Sequence, residues 1–119
     1  MPQILVVDDE EKMRHLLSIM LERKGHSVDN AGDGLEAFEL IRKAWEDQLP
    51  YDLVISDILM PRLSGVEMLE RINELNIACP VIFITAFATV DSAVEAMRMG
   101  AADYITKPFE EERIFLTVE

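Results

Sequence analysis

The feature that most constrains this chain is a short aliphatic run with no polar interruption. Gln3-Ile4-Leu5-Val6-Val7 sets apolar side chains in succession. A strand sends successive side chains to opposite faces, so such a run needs both faces buried. The same signal returns at Leu53-Val54-Ile55 and Val81-Ile82-Phe83-Ile84, and more weakly at His26 to Ala31 and Ala102 to Ile105. Each run is followed by a segment with helical periodicity. From Glu10 to Lys24 the stripe is Met13, Leu16, Leu17, Met20 and Leu21, closed by Gly25 as a left-handed cap. Asp33-Gly34 opens a second helix with Ala37, Phe38, Ile41, Ala44 and Trp45 on one face, and Pro50 closes the connection. Ser64 and Glu67 have the spacing of a capping box ahead of Val66, Leu69 and Ile72. Thr89 or Asp91 starts a helix whose stripe is Val90, Ala93, Val94 and Met97, ended by Gly100. Glu110 to Glu119 predicts a last helix with Ile114, Phe115 and Val118 turned inward.

Strand and helix therefore alternate five times. That pattern predicts an α/β domain with a parallel sheet and helices on both faces, joined by right-handed crossovers. No repeat, linker or low-complexity run interrupts it. The 119 residues suit one domain with a single core. The last helix stops at Thr117-Val118-Glu119 without a glycine cap and with an acid where the helix dipole favours a base. Residues 1–119 are thus expected to be one domain cut from a longer protein.

Composition excludes several function classes. Eleven Lys and Arg stand against 23 Asp and Glu, a net charge of −12. So acidic a surface repels nucleic-acid phosphates and anionic membranes, so neither is expected as a direct partner. No apolar run approaches the roughly 20 residues of a spanning helix. Met1-Pro2-Gln3 opens no secretory signal, and the expected compartment is the cytoplasm. The single cysteine, Cys79, forms no internal disulfide, and with His15 and His26 scattered there is no zinc pattern. Cys79 reads as a small buried hydrophobe, the two histidines as surface or packing residues, and most methionines as core. Met60 and Met68 are set apart as candidates for the site or a partner face.

Ligands of a parallel sheet collect beyond the carboxyl ends of its strands. Asp8-Asp9-Glu10-Glu11 follow the first strand, Asp57 the third, Thr85 the fourth and Thr106-Lys107-Pro108 the fifth. Taken singly, each has an ordinary reading: helix-capping acids, a loop acid, a β-branched strand residue, a solvated lysine. Taken together, they bring three carboxylates, a hydroxyl and an ammonium to one edge. Clustered carboxylates favour a cation, and a sparse set of hard oxygens suits Mg²⁺. A carboxylate can be the nucleophile that forms an aspartyl-phosphate, with Lys107 and the Thr85 hydroxyl serving the phosphoryl oxygens. Pro108 is a candidate cis-proline that would aim Lys107 at the site.

Over its whole length the chain resembles the receiver domain of a two-component response regulator. The resemblance rests on Ile4 to Asp9, Asp57 to Pro61 with Gly65, Thr85-Ala86, and Asp103 to Phe109. It implies a flavodoxin-like doubly wound five-stranded sheet of order 2-1-3-4-5. It implies phosphorylation of Asp57 by a sensor histidine kinase. Mg²⁺ would be held by Asp9, Asp57 and the carbonyl of Leu59, with Asp8 acting mostly through metal-bound water. Thr85 and Lys107 would hold the phosphoryl group, and Thr85 with Tyr104 would form the switch. Leu59 and Phe87 sit where the family varies, which leaves the dephosphorylation rate open. Thr85 to Met97 and the segment after it are similar to receivers of nitrogen-regulation-type, sigma-54-dependent activators, which carry ATPase and DNA-binding domains behind the receiver. A homodimer through the fourth helix, fifth strand and last helix is also implied. The implied product is a changed surface that controls transcription; the only catalysis is the domain's own phosphotransfer and dephosphorylation. Two rivals stay open: a Mg²⁺-dependent phosphatase with an aspartyl nucleophile, and a degenerate receiver acting as a binding module. Against the first, the acids are adjacent at Asp8-Asp9 and no inserted cap encloses a substrate. Against the second, the five-residue set is intact.

Overall fold

The computed structural model describes residues 3–58, 60, 62–85 and 90–106. Its elements alternate without exception: β1 (Gln3–Val7), α1 (Glu11–Glu22), β2 (Ser27–Ala31), α2 (Gly34–Glu46), β3 (Leu53–Ser56), α3 (Gly65–Glu74), β4 (Val81–Thr85), α4 (Val90–Arg98) and β5 (Asp103–Thr106). The strands form one parallel sheet of order β2-β1-β3-β4-β5, as expected. The segment expected to form the last helix lies outside the described residues.

The uninterrupted aliphatic runs are explained by two cores, one on each face. Leu5 and Val7 of β1, Val54 of β3 and Val81 and Phe83 of β4 pack with α2 and α3 through Phe38, Ile41, Met68, Leu69 and Ile72. Ile4 and Val6, Leu53 and Ile55, and Ile82 and Ile84 pack on the other face with Leu17, Met20 and Leu21 of α1. Alternate residues of one strand thus enter different cores, and no position is left for a polar side chain until the strand ends.

The helices depart from the expected stripes in instructive ways. In α1, Leu16 is 48% exposed while Ser18 is buried. The Ser18 hydroxyl donates to Asn30 Oδ1 at 3.2 Å on β2, which turns the buried arc toward Leu17 and Leu21 and leaves Leu16 outside it. Trp45 is exposed at the last turn of α2, whose buried residues are Gly34, Ala37, Phe38 and Ile41. Across residues 93–98 of α4, Val94 and Met97 are about half exposed and Ala96 is buried; an alanine lets this stretch lie close to the sheet, so the larger apolar side chains here flank the contact. Met68 belongs wholly to the core, whereas Met60 is half-buried against it. His15 is exposed and His26 half-buried.

At the amino edge of the sheet, Tyr51 donates its hydroxyl to Asp29 at 2.8 Å. Burial, then the Asp29 carboxylate, raises the Tyr51 pKa. The Cys79 thiol donates to the Tyr51 carbonyl at 3.6 Å. Burial, with the Asp52 charge, pushes it up to about 11, so it is a protonated, packed thiol at neutral pH.

At the carboxyl edge two glycines let α2 and α3 come close. The expected capping box is present: Ser64 Oγ accepts from the Glu67 amide at 3.1 Å, and Glu67 Oε1 accepts from the Ser64 amide at 3.2 Å. Gly65 follows, and its amide donates to the Ile58 carbonyl at 2.8 Å. A methyl on Gly65 would lie 2.4 Å from the Asp57 carbonyl oxygen and 2.9 Å from the Phe83 ring; one on Gly34 would lie 2.1 Å from the Leu63 carbonyl oxygen. Gly65→Ala should therefore lower the free energy of unfolding by about 1–3 kcal/mol. A urea melt reads this directly, and an unchanged midpoint would show that the helix can withdraw without cost.

Candidate functional site

The strands place the acids before any side chain chooses a rotamer. β1 and β3 are neighbours with Val7 opposite Ser56, so the residues that follow, Asp8 and Asp57, emerge side by side. The Asp57 amide donates to the Val7 carbonyl at 2.9 Å, and the Asp8 amide donates to the Ala31 carbonyl at 3.2 Å. One carboxylate oxygen from each of Asp8, Asp9 and Asp57 lies within 4.8 Å of the others. Asp8 is 2% exposed, Asp57 half-buried and Asp9 exposed. The crevice lies where β1 leads outward to β2 on one side and the chain returns through β3 on the other, the topological position at which such sheets bind ligands.

Each acid is held by the backbone around it. Asp8 Oδ1 accepts from the Glu10 amide at 2.9 Å, which caps the entry to α1, a helix whose N-cap residue Glu10 makes no side-chain cap. Asp57 Oδ1 accepts from the Ile58 amide at 2.7 Å. The Ser56 hydroxyl donates to the Asp57 carbonyl at 2.7 Å. Arg14, on the first turn of α1, reaches back and donates from Nη1 to the Asp8 carbonyl. Three like charges this close repel one another strongly. A divalent cation relieves that repulsion, and an all-oxygen set without sulfur or nitrogen fits Mg²⁺. The structure thus brings Asp8, Asp9 and Asp57 together. Leu59, whose carbonyl completes the expected ligand set, lies outside the described residues.

Thr85 closes β4 on the same edge and is 1% exposed. β5 runs beside it, with Thr85 opposite Thr106 and Phe83 opposite Tyr104. Tyr104 is half-buried against the α2–α3 core, and its amide donates to Asp103 Oδ1 at 2.7 Å. Lys107 and Pro108 follow Thr106 in the chain and lie outside the described residues, as does Phe87.

Two participants escaped the sequence reading. Arg14 is one; its signal is a cation in the first turn of a helix, where the dipole disfavours it. Arg62 is the other. It sits in the left-handed region at φ 69°, and its Nη1 pairs at 3.2 Å with Asp33 Oδ2. Asp33 in turn caps α2 by accepting from the Glu36 amide at 2.8 Å. That pair ties the segment after β3 to the second helix.

A family model described as the response regulator receiver domain matches residues 4–119. The transcriptional regulatory protein DltR of Streptococcus agalactiae (serotype III, strain NEM316) is 38% identical over 116 residues, 98% of this chain and 50% of that protein. The transcriptional regulatory protein ZraR of Klebsiella oxytoca is 39% identical over 115 residues, 97% of this chain and 25% of that protein. The chain therefore spans half of one curated relative and a quarter of the other. Among solved structures, a chain of the CheX–CheY–BeF₃–Mg²⁺ complex from Borrelia burgdorferi superposes with a TM-score of 0.91 at 27% identity, covering 98% of this chain and 86% of that one.

If the three carboxylates hold the ion, Mg²⁺ should raise the melting temperature. At a concentration about 100 times its dissociation constant the gain is about 2.7 kcal/mol. Asp9→Ala should abolish most of that rise, as read by calorimetry with and without the metal. A full rise in the variant would move the ion elsewhere.

Proposed function

Because the chain belongs to the response regulator receiver family, we propose that it is a phosphorylation-driven switch with Asp57 as the acceptor. The observation that carries this reading is the meeting of Asp8, Asp9 and Asp57 within 4.8 Å at the carboxyl edge of β1 and β3. A sensor histidine kinase supplies the phosphoryl group as phosphohistidine. An Asp57 carboxylate oxygen attacks phosphorus; the phosphorus–nitrogen bond breaks, and its electron pair leaves with the imidazole, which takes up a proton. Water later attacks the acyl-phosphate and returns the carboxylate and inorganic phosphate. Asp9, Asp57 and the Leu59 carbonyl would hold Mg²⁺, with Asp8 acting mostly through metal-bound water, and the bound ion would supply positive charge to the phosphoryl oxygens. The ammonium of Lys107 and the hydroxyl of Thr85 serve the remaining oxygens.

The output is a change of surface. A phosphoryl group offers strong acceptors and nearly two negative charges. Drawing the Thr85 hydroxyl toward it frees space beside β5, into which the Tyr104 ring turns. The face of α4, β5 and the last helix then changes, and with it self-association and the grip on an output domain of a longer regulator, here residues 1–119 acting as its receiver. The DltR and ZraR matches support a transcriptional output; ATPase and DNA-binding domains are the form it takes in the activators that this chain resembles. The exchange belongs to the cytoplasm, and no helix among the described residues is long and apolar enough to cross a membrane.

Intact-mass measurement after acetyl phosphate and Mg²⁺ should show one added phosphoryl group, absent in Asp57→Asn. Steady turnover of small phosphate esters would instead favour a phosphatase, and labelling that persists in the variant would move the acceptor.

Thr85→Ala should still accept the group but lose much of the shift in α4 backbone amide resonances caused by beryllofluoride. A response equal to the wild type's would reduce Thr85 to a ligand.

A further inference from the structure

Arg14 has no place in the chemistry above, yet its guanidinium reaches back over the β1–α1 turn to grip its backbone. The Asp8 carbonyl lies outside the ladder of α1: the amides of Met13 and Arg14 both donate to the Glu10 carbonyl, two residues further along. Asp8 is almost wholly buried, and a carbonyl at that depth needs a donor. Arg14 supplies it. The carbonyl belongs to the peptide plane that joins Asp8 to Asp9, so fixing it fixes where the Asp9 backbone leaves and hence where its carboxylate stands. The Asp8 amide is already bound to Ala31 and its carboxylate to the Glu10 amide. The guanidinium adds a further restraint, and it brings a charge opposite to the three acids.

A helix gains nothing from a cation at this position, because the amino end of its dipole is positive. Arg14 is also half-buried, with its Nη1 about 3.5 Å from where a side chain on Gly32 would begin, so the group is seated between α1 and the end of β2. A planar, permanently charged fork suits that seat better than the mobile ammonium of lysine.

We propose that Arg14 is a positioning residue for the divalent-cation site: it sets the Asp8–Asp9 peptide plane and so the affinity for Mg²⁺. This rests on the carboxylate site proposed above. The test is isothermal titration of Mg²⁺ into wild type, Asp9→Asn, Arg14→Met, Arg14→Lys and Lys12→Met, with urea melts of each in chelator. Removing an outer partner of a metal ligand typically costs about 10–100-fold in affinity, and Arg14→Met should fall in that range. Arg14→Lys should recover only part of the loss. Lys12→Met removes an exposed charge of the same turn and, being screened, should stay within about twofold. A merely structural role would move the urea midpoint and leave the affinity of the folded protein unchanged. Wild-type affinity in Arg14→Met, or an equal loss in Lys12→Met, overturns the proposal. If Arg14→Met does not fold, Arg14→Lys decides: unaltered affinity counts against it, a several-fold loss for it. A wild type that does not bind Mg²⁺, or an Asp9→Asn that binds it fully, defeats the site reading itself, which keeps the two failures apart.

Discussion

Three carboxylates do not gather unless something holds them. Here the holding is done by the pairing of β1 with β3. Once Val7 stands opposite Ser56, the next residues of both strands, Asp8 and Asp57, have no other place to go. The cost is electrostatic and local, while the force that meets it is apolar and distributed: two cores clamp the strands from opposite faces. The site is thus a strained corner of a stable sheet. With repulsion at the edge opposed by burial behind it, a ligand that bound one arrangement of the edge better than another would shift the conformation.

The segment between β3 and α3 is tied from three directions. The Gly65 amide returns to Ile58, the Ser64–Glu67 box closes the helix start, and Arg62 reaches Asp33 across to α2. The left-handed backbone of Arg62 is a conformation that most residues resist. Its ion pair is exposed and so contributes little alone. The close approach at Gly34 and Gly65 does more, because it sets α2 and α3 against backbone atoms with no side chain between them.

Much of this was legible in the sequence, and the reasons differ from residue to residue. β1, β3 and β4 could be read because burial on both faces removes the need for alternation, which is a strong signal. Ser64 and Glu67 could be read because a capping box is a local hydrogen-bond pattern with fixed spacing. The placing of Asp8, Asp9 and Asp57 at one edge followed from the parallel order alone. What could not be read was anything set by the angle at which a helix meets the sheet. Leu16, Trp45, Val94 and Met97 all lie on apolar stripes, yet a stripe is wider than the contact, and Ser18 and Ala96 took the buried places. Nor could the grip of Arg14 on the Asp8 carbonyl be read, since it joins a side chain to a backbone atom six residues away.

The anchorage of α4 has its own consequence. Across residues 93–98 of this helix, the single buried side chain is Ala96. A methyl group interlocks with little. Sliding or turning this stretch displaces one small buried group, whereas moving α3, seated through Met68, Leu69 and Ile72, would displace three large ones. Residues 93–98 of α4 are thus interlocked with the sheet less than α3 is. A displacement that reached both helices would therefore meet less resistance at residues 93–98 of α4 than at α3.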